Sequence, residues 1–517
     1  MWATSTVDAT AEAFASTSGG AALNAAVAVS VVESSAIARI TGTTQLSVNG
    51  ILDLHAGNTV DVTTIADGAS AGPNAAGGSL ALSLVYDTTE AYIGGSVSTP
   101  TSSDPSSIQI RAISDVDTET TADATAGGAD SSGDSANTKI EGLLSEHDPN
   151  DGTGNAADVP SATASGGDVG VAAAVAVTYN ESITRAYLNS GGTIETGSGG
   201  SLTVQASSDT DGSATADGSS ADAGVGIAAA VAINVVDLTN EEVIGSGATV
   251  AATGLVVRGV MDTSGDSTHS FGASATSGAG ATDVGIAGAF ALNLVDDTTQ
   301  AVIETGADVD AGGGNVNVIA ENTTSHTVLA TSDAGADVGI GASVALNIVD
   351  TNRTLAEIAA DATVTGANDV VVSATGAHSL STTAEAGSAG DSVAISPSVA
   401  LTIADNETTA RIGTSFTPLN ATGSVAVQAI QSSSVITLSD GAAAGSFGVG
   451  IAVAITDAND MVTAEVARDL VVSGAVSIGA HSGAMTSTTA NASSSGAASD
   501  SNDANTEVES QLGHGRS

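Results

Sequence analysis

Hydrophobic and polar residues alternate along most of the chain, and the alternation comes in copies. A segment of small and β-branched residues recurs as AAVAVSVVE around Val27, SLALSLVYD around Leu80, AAVAVTYNE around Val175 and AAVAINVVD around Val231. It returns as GAFALNLVD around Phe290, ASVALNIVD around Val344, PSVALTIAD around Val399 and IAVAITDAN around Val453. The anchors are 53, 95, 56, 59, 54, 55 and 54 residues apart, a unit of about 55 residues with one long insertion after the second copy. Period-two alternation of Val, Ile and Thr between Gly, Asp and Asn predicts strands. The alanine content would also suit helices, but no stripe of period 3.6 survives from copy to copy. In the fifth copy VGIAGAFALNLVDD, TTQAVIET, NVNVIAEN and SHTVLATS read as strands and GADVDAGGG as a turn.

A fixed period of strand-forming units predicts an all-β fold, a flattened parallel β-solenoid of about eight units stabilised by burial of Val, Ile, Leu and Ala between neighbours. If each unit adds one or two coils of ~4.8 Å, the stack is about 40 or 80 Å long. Residues 1–99 hold the first two units, 100–167 the end of the second with an acidic Gly/Ser-rich insertion, and 168–517 units three to eight. The pattern runs to both termini, as expected of a piece of a longer array whose uncapped end coils associate end to end.

Two columns of equivalent positions stand out. Three residues past each anchor come Ser30, Ser83, Thr178, Asn234, Asn293, Asn347, Thr402 and Thr456, either a buried polar ladder along the stack or a strand edge that accepts small polar residues. Six past the anchor come Glu33, Tyr86, Glu181, Asp237, Asp296, Asp350, Asp405 and Asn459. Carboxylates stacked ~5 Å apart repel unless cations screen them, so this column is either a calcium-bridged stripe or a solvated turn with Asp capping the backbone. Arg39, Arg185 and Arg411 follow it closely, which predicts local pairing with Glu33, Glu181 and Asp405.

The chain carries 58 acidic and 9 basic side chains, a formal charge of −49, no cysteine and only 10 aromatic residues among 517. So few cations exclude a nucleic-acid partner, and the lack of cysteine excludes disulfides and thiolate metal sites. Aromatics this scarce imply a thin core. No run of about 20 apolar residues is present, so membrane insertion is not expected, and the N-terminus lacks a secretory signal pattern.

Candidate chemistry is sparse. His269, His326 and His378 occupy similar late positions, either a column able to bind a transition metal or strand ends where His is tolerated. The insertion clusters oxygen ligands at Asp148, Asn150, Asp151 and Asp158 around glycines, a candidate calcium loop without complete EF-hand spacing, or else a plain loop. Signatures of nucleotide, serine-hydrolase and zinc-protease sites are missing, and no carboxylate pair rises above the acidic background.

The recurring VGIAAAVAINVVD, then Thr, a short strand, and GAxVxAxGxVxVxA resembles the β-strand repeats of giant bacterial surface adhesins of the filamentous haemagglutinin-like and leukotoxin-type filamentous families. The resemblance implies an extracellular or cell-surface structural and adhesive protein, not an enzyme, forming a rod or filament by end-to-end or lateral self-association and meeting surface carbohydrate or another cell. The alternative is a polysaccharide-active β-helix enzyme.

Overall fold

The structure, a computed structural model, describes residues 1–42, 45–48, 50–98, 107–127, 167–197 and 199–495. It is an all-β parallel solenoid, and every strand pair is parallel. The anchors Val27, Leu80, Val175, Val231, Phe290, Val344, Val399 and Val453 are consecutive register partners. One unit therefore closes one coil, which settles the axial length at the shorter expectation, about 40 Å.

Each coil has two long limbs and a short third side. The first limbs include Trp2–Ser18, Leu52–Ala71 and Ile108–Gly127, and the second limbs Ala22–Ile40, Asn74–Ile93 and Gly167–Leu188. From Leu202–Ile244 onward the two limbs become one strand of up to 43 residues, bent at its middle, as in Val316–Ile358 and Val370–Ile412. Register shifts mark the bends, between Gly280 and Val284 and between Gly390 and Val393, where an irregularity turns the strand without ending it. The third side is a ladder of three-residue strands such as Thr249–Ala251 and Asp308–Asp310. The latter lies inside GADVDAGGG, so the segment expected to be a turn contributes a strand flanked by turns. A limb of 20 residues spans about 66 Å. The stack is thus a slab, wider than it is long.

The cross-section tapers. Beside the short strands, Leu54, Ile93, Ile110, Leu188, Ile194 and Leu202 fill the wide edge. Arg468 ties three turns together there, its guanidinium donating to the carbonyls of Gly413 at 2.6 Å, Ala362 at 2.5 Å and Ala359 at 2.7 Å. Along the middle the limbs are separated by alanines, with Val328 the exception in that cluster. At the bent edge even a methyl group is too large: a Cβ on Gly68 would run into the Gly78 carbonyl oxygen, and one on Gly218 into that of Ala229. This spacing explains a core in which Phe271 is the one buried Phe, Tyr or Trp among the described residues.

The expected core is thus divided along the limb. In the middle of the second limbs the inward residues are small, as with Ala228, Ala230 and Ala232, while the larger Ile227, Val231, Ile233 and Val235 point outward; further along, Val236, Leu238 and Ile244 are buried.

Candidate functional site

The polar ladder positions Ser30, Ser83, Thr178, Asn234, Asn293, Asn347 and Thr402 are buried, in register, and face the first limb. Their chemistry depends on what that limb offers. Where it carries threonine, hydroxyls zigzag between limbs: Ser30–Thr64–Ser83–Thr120–Thr178 at 2.7–2.8 Å. Thr382–Thr402–Thr437–Thr456–Thr488 repeat the pattern at 2.7 Å. Where the limb carries Ala214, Ala273 and Val328, the second limb carries asparagines. Asn234 Nδ2 donates to Asn293 Oδ1 at 2.9 Å, and Asn293 Nδ2 to Asn347 Oδ1 at 3.2 Å. Either scheme joins groups that would be costly to bury alone, though Asn234 Oδ1 and Asn347 Nδ2, at the ends of the amide run, have no hydrogen-bond partner.

A second inward column, not anticipated, runs four residues further on through Asp87, Asp297, Asn352 and Asn406. Asn322 Nδ2 donates to Asp297 Oδ2 at 2.8 Å and to Asn352 Oδ1 at 3.1 Å, and Asn352 Nδ2 donates to Asn406 Oδ1 at 3.1 Å. Burial pushes Asp297 up to about 7, against which the Asn322 bond works.

The acidic column lies on the outer surface, with Asp237, Asp296, Asp350 and Asp405 exposed. Asp237 and Asp296 are paired in register, whereas Asp296 meets Thr351 because the chain bulges at Asp350. Partial burial and neighbouring carboxylates raise Asp237, with Glu181 acting on it, and Asp296, with Asp350 and Asp237 acting on it. The arginines pair between coils instead of locally: Arg185 with Glu241 at 2.8 Å and Arg411 with Glu357 at 2.8 Å, while Arg39 donates to the Tyr92 hydroxyl at 3.3 Å.

The three histidines are core residues in two adjacent columns. His269, Thr324 and His378 are successive partners, and His326 stands beside Phe271 in the next inward column. Burial holds His269 and His326 down to about 3 and His378 to about 4, so all three are neutral. The candidate calcium ligands Asp148, Asn150, Asp151 and Asp158 lie outside the described residues.

Two outer surfaces were not foreseen. On the second limbs, in-register columns of large apolar residues run the length of the stack. The anchor column is one, and Val29, Leu82, Val177, Ile233, Leu292, Leu346, Leu401 and Ile455 form the next. Leu23, Ala76, Val171, Ile227, Ile286, Ile340, Ile395 and Val449 form a third. Exposure is greatest in the end coils, 80% at Leu23 and 50% at Ile455, and most of these side chains in the coils between are half-buried. Asp237, Asp296 and Asp405 edge this band on one side and Asp283, Asp337 and Asp391 on the other, all exposed. The first limbs instead present Thr, Ser and Asp, including the in-register run Asp8, Asp61, Asp117 and Asp211. Next to that run, Asp209, Asp211 and Asp266 converge.

Comparison with protein-family models, curated proteins and solved structures finds no match.

Proposed function

We propose that the chain is a structural repeat protein of the extracellular space or cell surface that self-associates laterally, apolar face against apolar face. The observation that carries this reading is the outward band of Val, Leu, Ile and Phe columns over the second limbs. Five columns of larger apolar residues, at Val284, Ile286, Phe290, Leu292 and Leu294 in one coil, with the small Gly288 column among them, span ~34 Å, and eight coils span a similar height. The band therefore covers on the order of 1,000 Å², beyond the few hundred Å² usual for the largest patch on a monomer. Pairing two such faces removes about 2,000 Å² from water, the size of a stable interface. A second copy suits the surface because both partners are flat, twisted alike and ridged at the same coil spacing, so columns interdigitate as in a dry sheet interface.

The acidic rims oppose this pairing. With a charge of −49 and Asp rows beside the band, association is expected to strengthen with salt. The adhesin resemblance agrees with such a role, in which paired slabs give a filament its girth and end coils extend it. Contact with carbohydrate or another cell would then fall to the hydroxyl-rich face.

Sedimentation velocity and electron microscopy across protein and salt concentration test the reading. Paired or laterally bundled slabs, increasing with salt, are the expected result. Monomers at every concentration and salt level would sink it. Binding of apolar vesicles in place of a second copy would reassign the face to a lipid surface.

A further inference from the structure

The unit of 59 residues between Val231 and Phe290 owes its length to an arch. Strand Leu255–Met261 leaves register after Ser208↔Met261, and His269–Ile303 regains it at Gly212↔Phe271. Residues 262–268 pass over Asp209 and Asp211 on the outside of the first limb. Gly265 sits so close that a Cβ there would strike Asp209 Oδ2. Ser267 N donates to Asp209 Oδ2 at 3.2 Å, Ser270 N to Asp211 Oδ1 at 2.7 Å and Thr268 N to Asp266 Oδ1 at 2.9 Å.

Asp209 Oδ1 is left buried without a hydrogen-bond partner, in a residue only 3% exposed. His269 Nδ1 lies 4.0 Å from it but accepts the Thr210 amide proton at 2.9 Å, so it neither donates to the carboxylate nor neutralises it. One oxygen each of Asp209, Asp211 and Asp266 lies within 4.8 Å of the others. The charges acting on Asp209 and Asp211 are carboxylates: Asp211, Asp266 and Asp115 on Asp209, and Asp266 and Asp117 on Asp211. Burial first, then that repulsion, pushes Asp209 up to about 7 and Asp211 to about 6. A buried carboxylate with one unpartnered oxygen, clustered with two more carboxylates, is expensive unless a cation joins them.

We infer that Asp209, Asp211 and Asp266 bind a divalent cation of the calcium class, with the arch 262–268 as its cover. All three donors are hard oxygens, one on the arch and two on a strand. Their mutual distances suit one ion bound at 2.3–2.6 Å, a chemistry that fits calcium better than a nitrogen- or sulfur-seeking transition metal. Asp209 lies too deep for a sugar ring to reach, which argues for an ion over a glycosidase acid. The inference does not depend on lateral association.

The test is calcium titration of the chelator-treated full chain by calorimetry, with melting followed in parallel. The expected result is one tight site above the weak background of other carboxylates, with a calcium-dependent rise in Tm. Asp209→Asn should weaken that site at least tenfold and abolish the rise, while raising the Tm of the metal-free chain. Gly265→Ala leaves the charge unchanged but displaces the cover, and should also weaken the site. Asp296→Asn on the other face should leave it intact. Equal calcium binding by wild type, Asp209→Asn and Gly265→Ala would reduce the effect to general screening and overturn the inference.

Discussion

The two outer faces of the slab share one interior and one register, yet they have opposite chemistry. Behind both lie the same alanines and buried hydroxyls and amides; in front, the first limbs carry Thr, Ser and Asp while the second carry Val, Leu and Ile. Stacking cannot account for this difference, since backbone pairing and the Ala core serve both limbs alike. The apolar columns are therefore better explained by what meets them from outside than by the stability of the coil. Similarly, the acid-rich face departs from plain solvation where the arch closes over Asp209.

The largest expected effect separates the faces outright. Leu292→Asp, Leu346→Asp and Leu401→Asp together should leave a folded monomer by sedimentation, whereas Thr327→Asp with Ser381→Asp on the hydroxyl face should leave association unchanged. Loss of association in both variants would mean that charge, not the apolar band, governs it.

The glycine spine holding the faces together is tested next. Gly218→Val forces a side chain into the Ala229 carbonyl, and should cost about 4 kcal/mol or more, the top of the range for point substitutions, in denaturant unfolding.

Asp297→Asn probes the interior behind the apolar face. Because burial raises Asp297 to about 7, its contribution to stability is complete below the unfolded value near 3.8 and is lost as pH rises through 7. The variant should match wild type near pH 4 and exceed it by about 2–4 kcal/mol at pH 8, since each tenfold change in proton affinity is worth about 1.4 kcal/mol. The histidines have the opposite sign. Held down to about 3 or 4, they contribute fully above their unfolded value of 6.5 and lose that contribution as pH falls toward the folded values, so acid should destabilise wild type progressively from pH 6.5 down to about 3.

A smaller gain is expected where the interior breaks its own pattern. Glu242, fully buried and pushed well above its usual range by burial, stands between Ala186 and Ala301 in its column, and Gly259 makes room for it between Ala206 and Ala320. Restoring alanine at both positions should stabilise the chain by about 1–2 kcal/mol, more than either change alone. Smallest of all, Thr331→Ala on the hydroxyl face should stay within about 0.5 kcal/mol.

Much of the fold was legible in the spacing of the anchors, because backbone pairing in a solenoid forces equivalent residues into register. The polar column was legible for the same reason, as Ser30 to Thr456 keep one offset. Which side of each strand faces inward was not. Both alternating sets are apolar along the middle of the second limbs, and there the larger residues, which usually mark a core, lie outside because the limbs approach too closely to admit them. The Asp209 cluster was hidden because its members are 57 residues apart among 58 acidic side chains. Its one trace was the 59-residue spacing, whose surplus is the arch. The histidines looked alike in sequence, but an offset of two residues puts His326 in a different column from His269 and His378.

Because each unit closes a single coil and meets its neighbours through matched columns, length is a variable this architecture can change in whole steps. Copying or deleting the stretch from one anchor to the next reconnects alanine to alanine and leucine to leucine, with no contact to redesign. A gene built this way can grow by duplication, each step adding about 5 Å of stack and another row to the outer band.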